Sequence, residues 1–257
     1  MSDDRYLLSS VNNSLKIIDL LSEKPELGTA EISRELGIGK TSVFRMLYTL
    51  EKNDFVTKDK NSKYRLSIKF ARFGNRVLDR IDIVSIVKPH LKELTNKHNE
   101  TTHMAILSED FNTIFLYKET SNSTFQMASN IGVKLPAYNT ATGKVLLAGL
   151  DENTLNQFFD EVKLKEYTKT TITKEKELRK EIEEIKEKGY GIDNEESEEG
   201  LMCFAAPIKN ISNTAVAAIS ISGPAFRMKE NKDELIKSII KVSNEISAKI
   251  GYKDFSK

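Results

Sequence analysis

Apolar residues first recur at helical spacing in "SLKIIDLLSEK", residues 14–24, where Leu15, Ile18 and Leu21, with Ile17 and Leu20, share a face before Pro25 ends the run. The next such stretch, "AEISREL" at 30–36, predicts a short helix opened by Gly28-Thr29. Glu31 falls in its first turn, where the helix dipole favours an acid. "GIG" then makes a tight turn, and a third helix is predicted over about 40–52. At roughly 100° per residue, Val43, Met46, Leu47 and Leu50 fall toward a core. Thr41, Arg45, Tyr48 and Lys52 fall opposite, flanked by Ser42, Phe44 and Thr49. Two short helices about a glycine-containing turn have helix-turn-helix spacing. "FVTK", "DKNS" and "KYRLS" follow as two alternating strands about a polar turn, which predicts a hairpin with Lys58, Lys60, Lys63 and Arg65 near its tip.

Further along the chain the period changes. Residues 68–95 read as helix with a break near Pro89. "THMAILSEDFNTIFLYKE" reads as strand, turn and strand, and "TFQMASNIG" as another strand. "TATGKVLLAGL" opens a helix, and "KEKELRKEIEEIKEKG" is a charged helix with i,i+4 pairs, stopped by Gly189. The strands "GYGIDNE", "LMCFAAPIKN" and "AVAAISISG" come next, then a helix with Leu235, Ile239, Val242, Ile246 and Ile250 on one face. An antiparallel sheet carrying helices, an α+β domain, is the expected architecture.

Composition refines this. The 257 residues are comfortable for two domains, with 39% hydrophobic and 30% charged residues, as in an ordinary globular protein. One Cys and three His are too few for a disulfide framework or a multi-ligand zinc site, and no cofactor is expected. The beginning of the sequence lacks an apolar run of signal-peptide length, and the most apolar stretch is too interrupted to span a bilayer, so a cytoplasmic location is expected. Net charge is only +1, but residues 40–72 carry nine Lys/Arg against three acids, the footprint of a DNA-binding module. Gly39-Lys40-Thr41 is not a phosphate loop, because position 34, where such a loop needs its first glycine, is Arg. The stretch is instead the turn before a recognition helix. With the basic hairpin it makes a winged helix-turn-helix, and Lys40, Thr41, Ser42, Phe44, Arg45 and Tyr48 of the helix, with Lys58, Lys60, Lys63 and Arg65 of the wing, are the expected DNA-binding residues.

"AEISRELGIGKTSVFRMLYTLEKNDFV" with "KYRLS", then "LPAYNTATGKVLLA", "GYGIDNEESEEGLMCFAAPI" and "AAISISGPAFR", resemble in order and spacing the motifs of the IclR family of bacterial transcriptional regulators. The resemblance covers some 240 residues. It implies a winged helix over 8–70, a connecting helix about 71–88, and a GAF-like effector-binding domain within 71–257. It also implies a homodimer through the DNA-binding domains, often a tetramer; because one recognition helix covers few base pairs, an inverted-repeat operator read by a symmetric dimer is expected. For the effector, a small organic acid, it implies contacts from Ala141, Thr142, Asp193, Cys203, Ser220 and Ser222. Amides at a helix start suit a carboxylate, and an ionised Asp193 suits a ligand hydroxyl. Thr142 is bulkier than the small residue common there. The bland readings are a buried Cys203 acting as a small hydrophobe, a solvated "DNEESEE" turn, and serines bonded only to backbone. A ligand-controlled DNA-binding regulator, expected to be a repressor, thus competes with an enzyme of small organic-acid metabolism using the same pocket. Salt-sensitive duplex binding without turnover separates the two.

Overall fold

Helix α1 (Ser9–Glu23) starts ahead of the predicted run and turns Ile17 and Leu21 fully inward. In this computed structural model, which describes residues 6–24, 26–78, 82–121 and 130–253, the chain divides into two units, residues 1–81 and 82–257. The expected stop at Pro25 lies outside the described residues.

In the first unit, β1 (Leu27–Gly28) leads into α2 (Thr29–Leu36), where the Gly28 N–H donates to Glu31 Oε2 at 2.6 Å. That bond satisfies one of the amides left open at a helix start. Gly37, at φ +65°, closes α2 in the left-handed region that only glycine enters cheaply. Helix α3 (Lys40–Lys52) follows α2 after three residues, Gly37, Ile38 and Gly39. Its Val43, Leu47 and Leu50 join Ile17, Leu21 and Ile32 in one core, closed from the wing side by Val56 and Tyr64. Met46, expected inside, is only half-buried. The wing is β2 (Val56–Lys58) and β3 (Lys63–Leu66), and the three strands order as β1-β3-β2. Strand β1 escapes a sequence reading because two residues cannot show alternation. Helix α4 (Lys69–Leu78) completes the unit.

The second unit opens with α5 (Ile83–His98), capped by Asp82, whose carboxylate accepts from the Val84 and Ser85 amides at 3.1 and 3.3 Å. The break expected near Pro89 does not occur. Pro89 and Ser85 are exposed, so the Ser85 carbonyl that loses its bond to Pro89 faces water, while Val87, Leu91 and Leu94 anchor the other face. Residues 79–81, within the expected connecting helix, lie outside the described residues.

Among the described residues six strands form an antiparallel sheet: β4 (Thr101–Leu107), β5 (Asn112–Glu119), β6 (Lys134–Pro136), β7 (Gly191–Asn194), β8 (Leu201–Lys209) and β9 (Ala215–Pro224), ordered β6-β5-β4-β9-β8-β7. Most of the expected strand "TFQMASNIG" lies outside the described residues. At the centre β4 pairs with β9, Thr101 opposite Ser222 and His103 opposite Ser220. Helices α6 (Ala141–Ala148), α7 (Glu152–Glu161) and α8 (Glu175–Lys188) make one layer. The Ala141, Val145 and Leu146 side chains of α6 pack on Leu201, Cys203, Ala205 and Ala218 of the sheet. Alternation turns Thr102 the other way, where its hydroxyl donates to the Leu91 carbonyl of α5 at 3.2 Å. Helix α10 (Lys232–Lys249) packs against α5 and β8, and short α9 (Ala225–Glu230) joins it to β9. The i,i+4 pairs expected on α8 are present, Glu175 with Arg179 at 2.8 Å and Glu184 with Lys188 at 2.6 Å. Among the described residues no helix is long and apolar enough to cross a membrane.

Candidate nucleic-acid surface and effector cavity

Burying Val43, Leu47 and Leu50 turns the opposite side of α3 outward, so Lys40, Thr41, Ser42, Phe44, Arg45 and Tyr48 are all exposed. Phe44 and Tyr48 keep about half their surface in solvent, 51% and 52%, on the same helix as exposed Lys40, Ser42 and Arg45. Ser42 and Arg45 also line a groove of about 680 Å³ against Val11 and Leu15 of α1. In the wing, Asp59 accepts from the Asn61 and Lys63 amides at 2.9 and 2.8 Å, which folds the tip. Alternation buries Tyr64 and leaves Lys63 half-buried and Arg65 exposed on the other face. Arg65 donates to Thr57 Oγ1 at 3.3 Å and lies 3.9 Å from Glu26. Lys58 and Lys60 are exposed, Lys58 reaching over the Tyr64 ring. The ten residues form one basic, hydroxyl-bearing helix face and a basic hairpin within a single unit.

Ala141, Thr142, Asp193, Cys203, Ser220 and Ser222 come from four separate stretches of sequence, and all six line one enclosed cavity of about 20 Å³. That volume is room for about one water molecule. Register brings the pieces together, with Asp193 opposite Cys203 on β7 and β8, and Cys203 opposite Ser222 on β8 and β9. Ser220 and Ser222, two apart on β9, face the same side. Helix α6 closes the cavity with its N-terminus. Thr140 Oγ1 takes the Gly143 amide at 3.1 Å, and the amides of Ala141 and Thr142 point forward from the first turn. Gly143 lets this helix sit on the 3₁₀ turn Ala137–Asn139, since a Cβ there would lie 2.2 Å from the Ala137 carbonyl oxygen.

Asp193 is nearly inaccessible, yet well supplied with donors. Its Oδ1 accepts from the Glu196 amide at 2.8 Å and the Ser197 amide at 3.3 Å, and its Oδ2 from the Ser197 hydroxyl at 2.5 Å. Burial pushes its pKa up, and these bonds together with nearby Lys144 pull against the rise. Asp193 therefore shapes its own loop as well as lining the cavity. Cys203 is held protonated: burial first, then the Asp193 charge, drives its thiol well above the ordinary range.

Four lining residues escape the sequence reading: Phe115, Leu135, Thr140 and Ser197. Thr140 was legible as the N-cap of a predicted helix. The reading of "DNEESEE" as a solvated turn fails at Glu196, which is only 4% exposed. Fully buried Lys144 donates to Glu196 Oε1 at 2.5 Å and to Glu181 Oε1 at 3.2 Å, tying α6 to the Asp193 loop and to α8. Burial raises the Glu196 pKa, with Lys144 opposing. His103, beside Ser220 in register, stacks on Phe115 with ring centroids 4.7 Å apart. Burial, with the Lys118 charge adding, lowers its pKa to about 3, so the imidazole is neutral near pH 7.

The description "Bacterial transcriptional regulator IclR C-terminal" matches residues 75–248, and "IclR helix-turn-helix domain" matches residues 10–60. The HTH-type transcriptional regulator KdgR of Escherichia coli (strain K12) is 35% identical over 250 residues, covering 96% of this chain and 95% of that protein. The crystal structure of the Thermotoga maritima IclR superposes with a TM-score of 0.64 at 31% identity, covering 95% of this chain and 99% of that one. The Agrobacterium tumefaciens repressor BlcR superposes with a TM-score of 0.73 at 27% identity, covering 96% and 99%. Carrying both family regions in order on the expected winged-helix and α/β folds, this chain belongs to the IclR family of bacterial transcriptional regulators.

Proposed function

We propose that the first unit binds operator DNA as part of a homodimer on an inverted repeat, and that a small organic acid in the second unit controls that binding. The observation that carries the reading is the meeting of six residues from four distant segments at one cavity, at the open end of helix α6. Helix amides there suit a carboxylate, and the hydroxyls of Ser220 and Ser222 suit its remaining oxygens. A keto or sugar acid is the class we favour. At about 20 Å³ the cavity must widen to admit any such molecule, so the ligand favours a conformation other than the closed one. That difference in affinity between states is what a regulator needs. We infer a repressor, as the A. tumefaciens relative is named, working in the cytoplasm where its DNA partner lies. Enzymatic turnover forms no part of the proposal, and the protonated Cys203 thiol supplies no nucleophile for it.

Operator titration tests the DNA half. Arg45→Ala is expected to lose ~1–3 kcal/mol, concentrated at one base position if Arg45 reads a guanine edge. Lys63→Ala and Arg65→Ala should weaken binding to all sequences alike, each lowering the salt slope by about one. A single half-site should bind far more weakly than the full repeat. Wild-type affinity in all three folded variants would remove the winged helix from DNA recognition.

A thermal-shift screen of organic acids tests the effector half. A hit at a hundredfold excess over its Kd should stabilise the fold by ~2.7 kcal/mol. The Ser220→Ala, Ser222→Ala double variant should keep operator affinity and lose the response to that acid. If the acid still stabilises and switches the double variant, the effector binds elsewhere.

A further inference from the structure

Beyond the effector cavity, the second unit carries a cleft of about 480 Å³, bounded by α8, the edge strand β7, β8, and the junction of α9 with α10. That size lies within the roughly 300–1,000 Å³ usual for small-molecule sites. It shares no lining residue with the effector cavity. Alternation explains the separation, because Ile192, Asn194 and Met202 point to the face opposite that of Asp193 and Cys203.

Both signs of charge line its wall. Glu181 of α8 and Glu196 of the loop after β7 supply the acids, Lys229 of α9 and Lys232 of α10 the bases. Glu196 is buried; its Oε1 accepts from Lys144 and, at 3.4 Å, from the Asn194 amide, while its Oε2 has no hydrogen-bond partner. A buried carboxylate oxygen without a donor is costly, which makes it a place where an incoming donor gains most. Lys229 is engaged by Glu195 at 2.6 Å, whereas exposed Lys232 forms no ion pair among the described residues. Ile172, Ile192 and Met202 supply an apolar stretch of wall.

An anion alone would gain the lysines and meet two carboxylates, and a cation alone would meet the reverse. A molecule carrying both charges meets neither penalty. We propose that this cleft binds a small zwitterion, an α-amino acid with an aliphatic side chain, its ammonium toward Glu196 and Glu181, its carboxylate on Lys232, and its side chain on the apolar wall.

The test is titration calorimetry of the full chain with L-leucine, with 4-methylpentanoate, which lacks the amine, and with 3-methylbutylamine, which lacks the carboxylate. Leucine is expected to bind at least about tenfold more tightly than either, since each analogue forfeits one charge-assisted contact. Lys232→Glu, at an exposed position, and Glu181→Gln should each weaken leucine by about tenfold or more. The Ser220→Ala, Ser222→Ala variant should bind leucine as the wild type does, which keeps this result separate from the fate of the effector proposal. No binding at millimolar leucine, equal binding of all three compounds, or wild-type affinity in Lys232→Glu would overturn the assignment. So would loss of leucine binding in the double serine variant, which would place leucine in the effector cavity.

Discussion

Lys144→Met is expected to destabilise the effector unit by ~3–5 kcal/mol, the range for removing one member of a buried ion pair. Lys144 is fully buried with Glu196 at 2.5 Å and Glu181 at 3.2 Å. Methionine fills much the same space, so the loss is electrostatic: a carboxylate left in an apolar setting with one oxygen already lacking a donor. Far-UV circular dichroism in urea should show the transition of residues 82–257 move to lower denaturant. The pH dependence supplies an independent sign. Burial already raises the Glu196 pKa, and removing Lys144 takes away an influence that lowers it. Below the unfolded pKa of about 4.3 the carboxyl is protonated in both states and the penalty vanishes. The penalty then grows as pH rises from there through the raised folded value. Lys144→Met combined with Glu196→Met should recover part of the stability, because an apolar pair at such a site is often neutral. An unchanged urea midpoint at pH 7 in the single variant would show that the ammonium is not required.

The second large effect is expected from a single methyl group. Alanine ordinarily improves a helix over glycine by about 1 kcal/mol, yet at Gly143 the new Cβ would stand 2.2 Å from the Ala137 carbonyl oxygen and 2.4 Å from its Cα. Both are backbone atoms, so no rotamer change relieves the contact, and α6 must lift off the turn beneath it. Overpacking of this kind costs ~1–3 kcal/mol or more, which outweighs the propensity gain. The displacement also moves the Ala141 and Thr142 amides away from the cavity, so Gly143→Ala should lose both melting temperature and the thermal shift from any effector. Gly39→Ala is the control, since nothing lies within 4 Å of a Cβ there. Equal melting temperatures for the two variants would remove the steric argument.

The parts of this molecule legible in the sequence are those set by local periodicity. Helix α3 begins and ends where its apolar spacing places it, and its exposed face follows from the same arithmetic. The strand face bearing Ser220 and Ser222 follows from a period of two. What stayed hidden depends on partners distant in sequence. Glu196 reads as one acid among five, and its burial depends on distant partners, Lys144 from α6 on its carboxylate and Thr171 on its backbone carbonyl. Phe115 and Leu135 are ordinary apolar strand residues until register brings them to the cavity wall. Pro89 reads as a helix breaker because its missing amide is a local fact, whereas exposure of Ser85 on the far side of the turn is not.

The pairing of β4 with β9 at the centre of the sheet bears on the order in which a nascent chain can fold. Thr101 cannot meet Ser222 until the ribosome has made the whole stretch between them, with β9 out of the exit tunnel. Among the described residues the buried core of the first unit ends at Tyr64, with Leu66 packed against it. Helix α3 and its wing therefore have all their packing partners while the sheet that lines the cavity still lacks its middle. Local contacts close early and distant ones late. During each round of synthesis there is thus an interval in which the DNA-reading unit is complete and the part that would answer to a ligand is not.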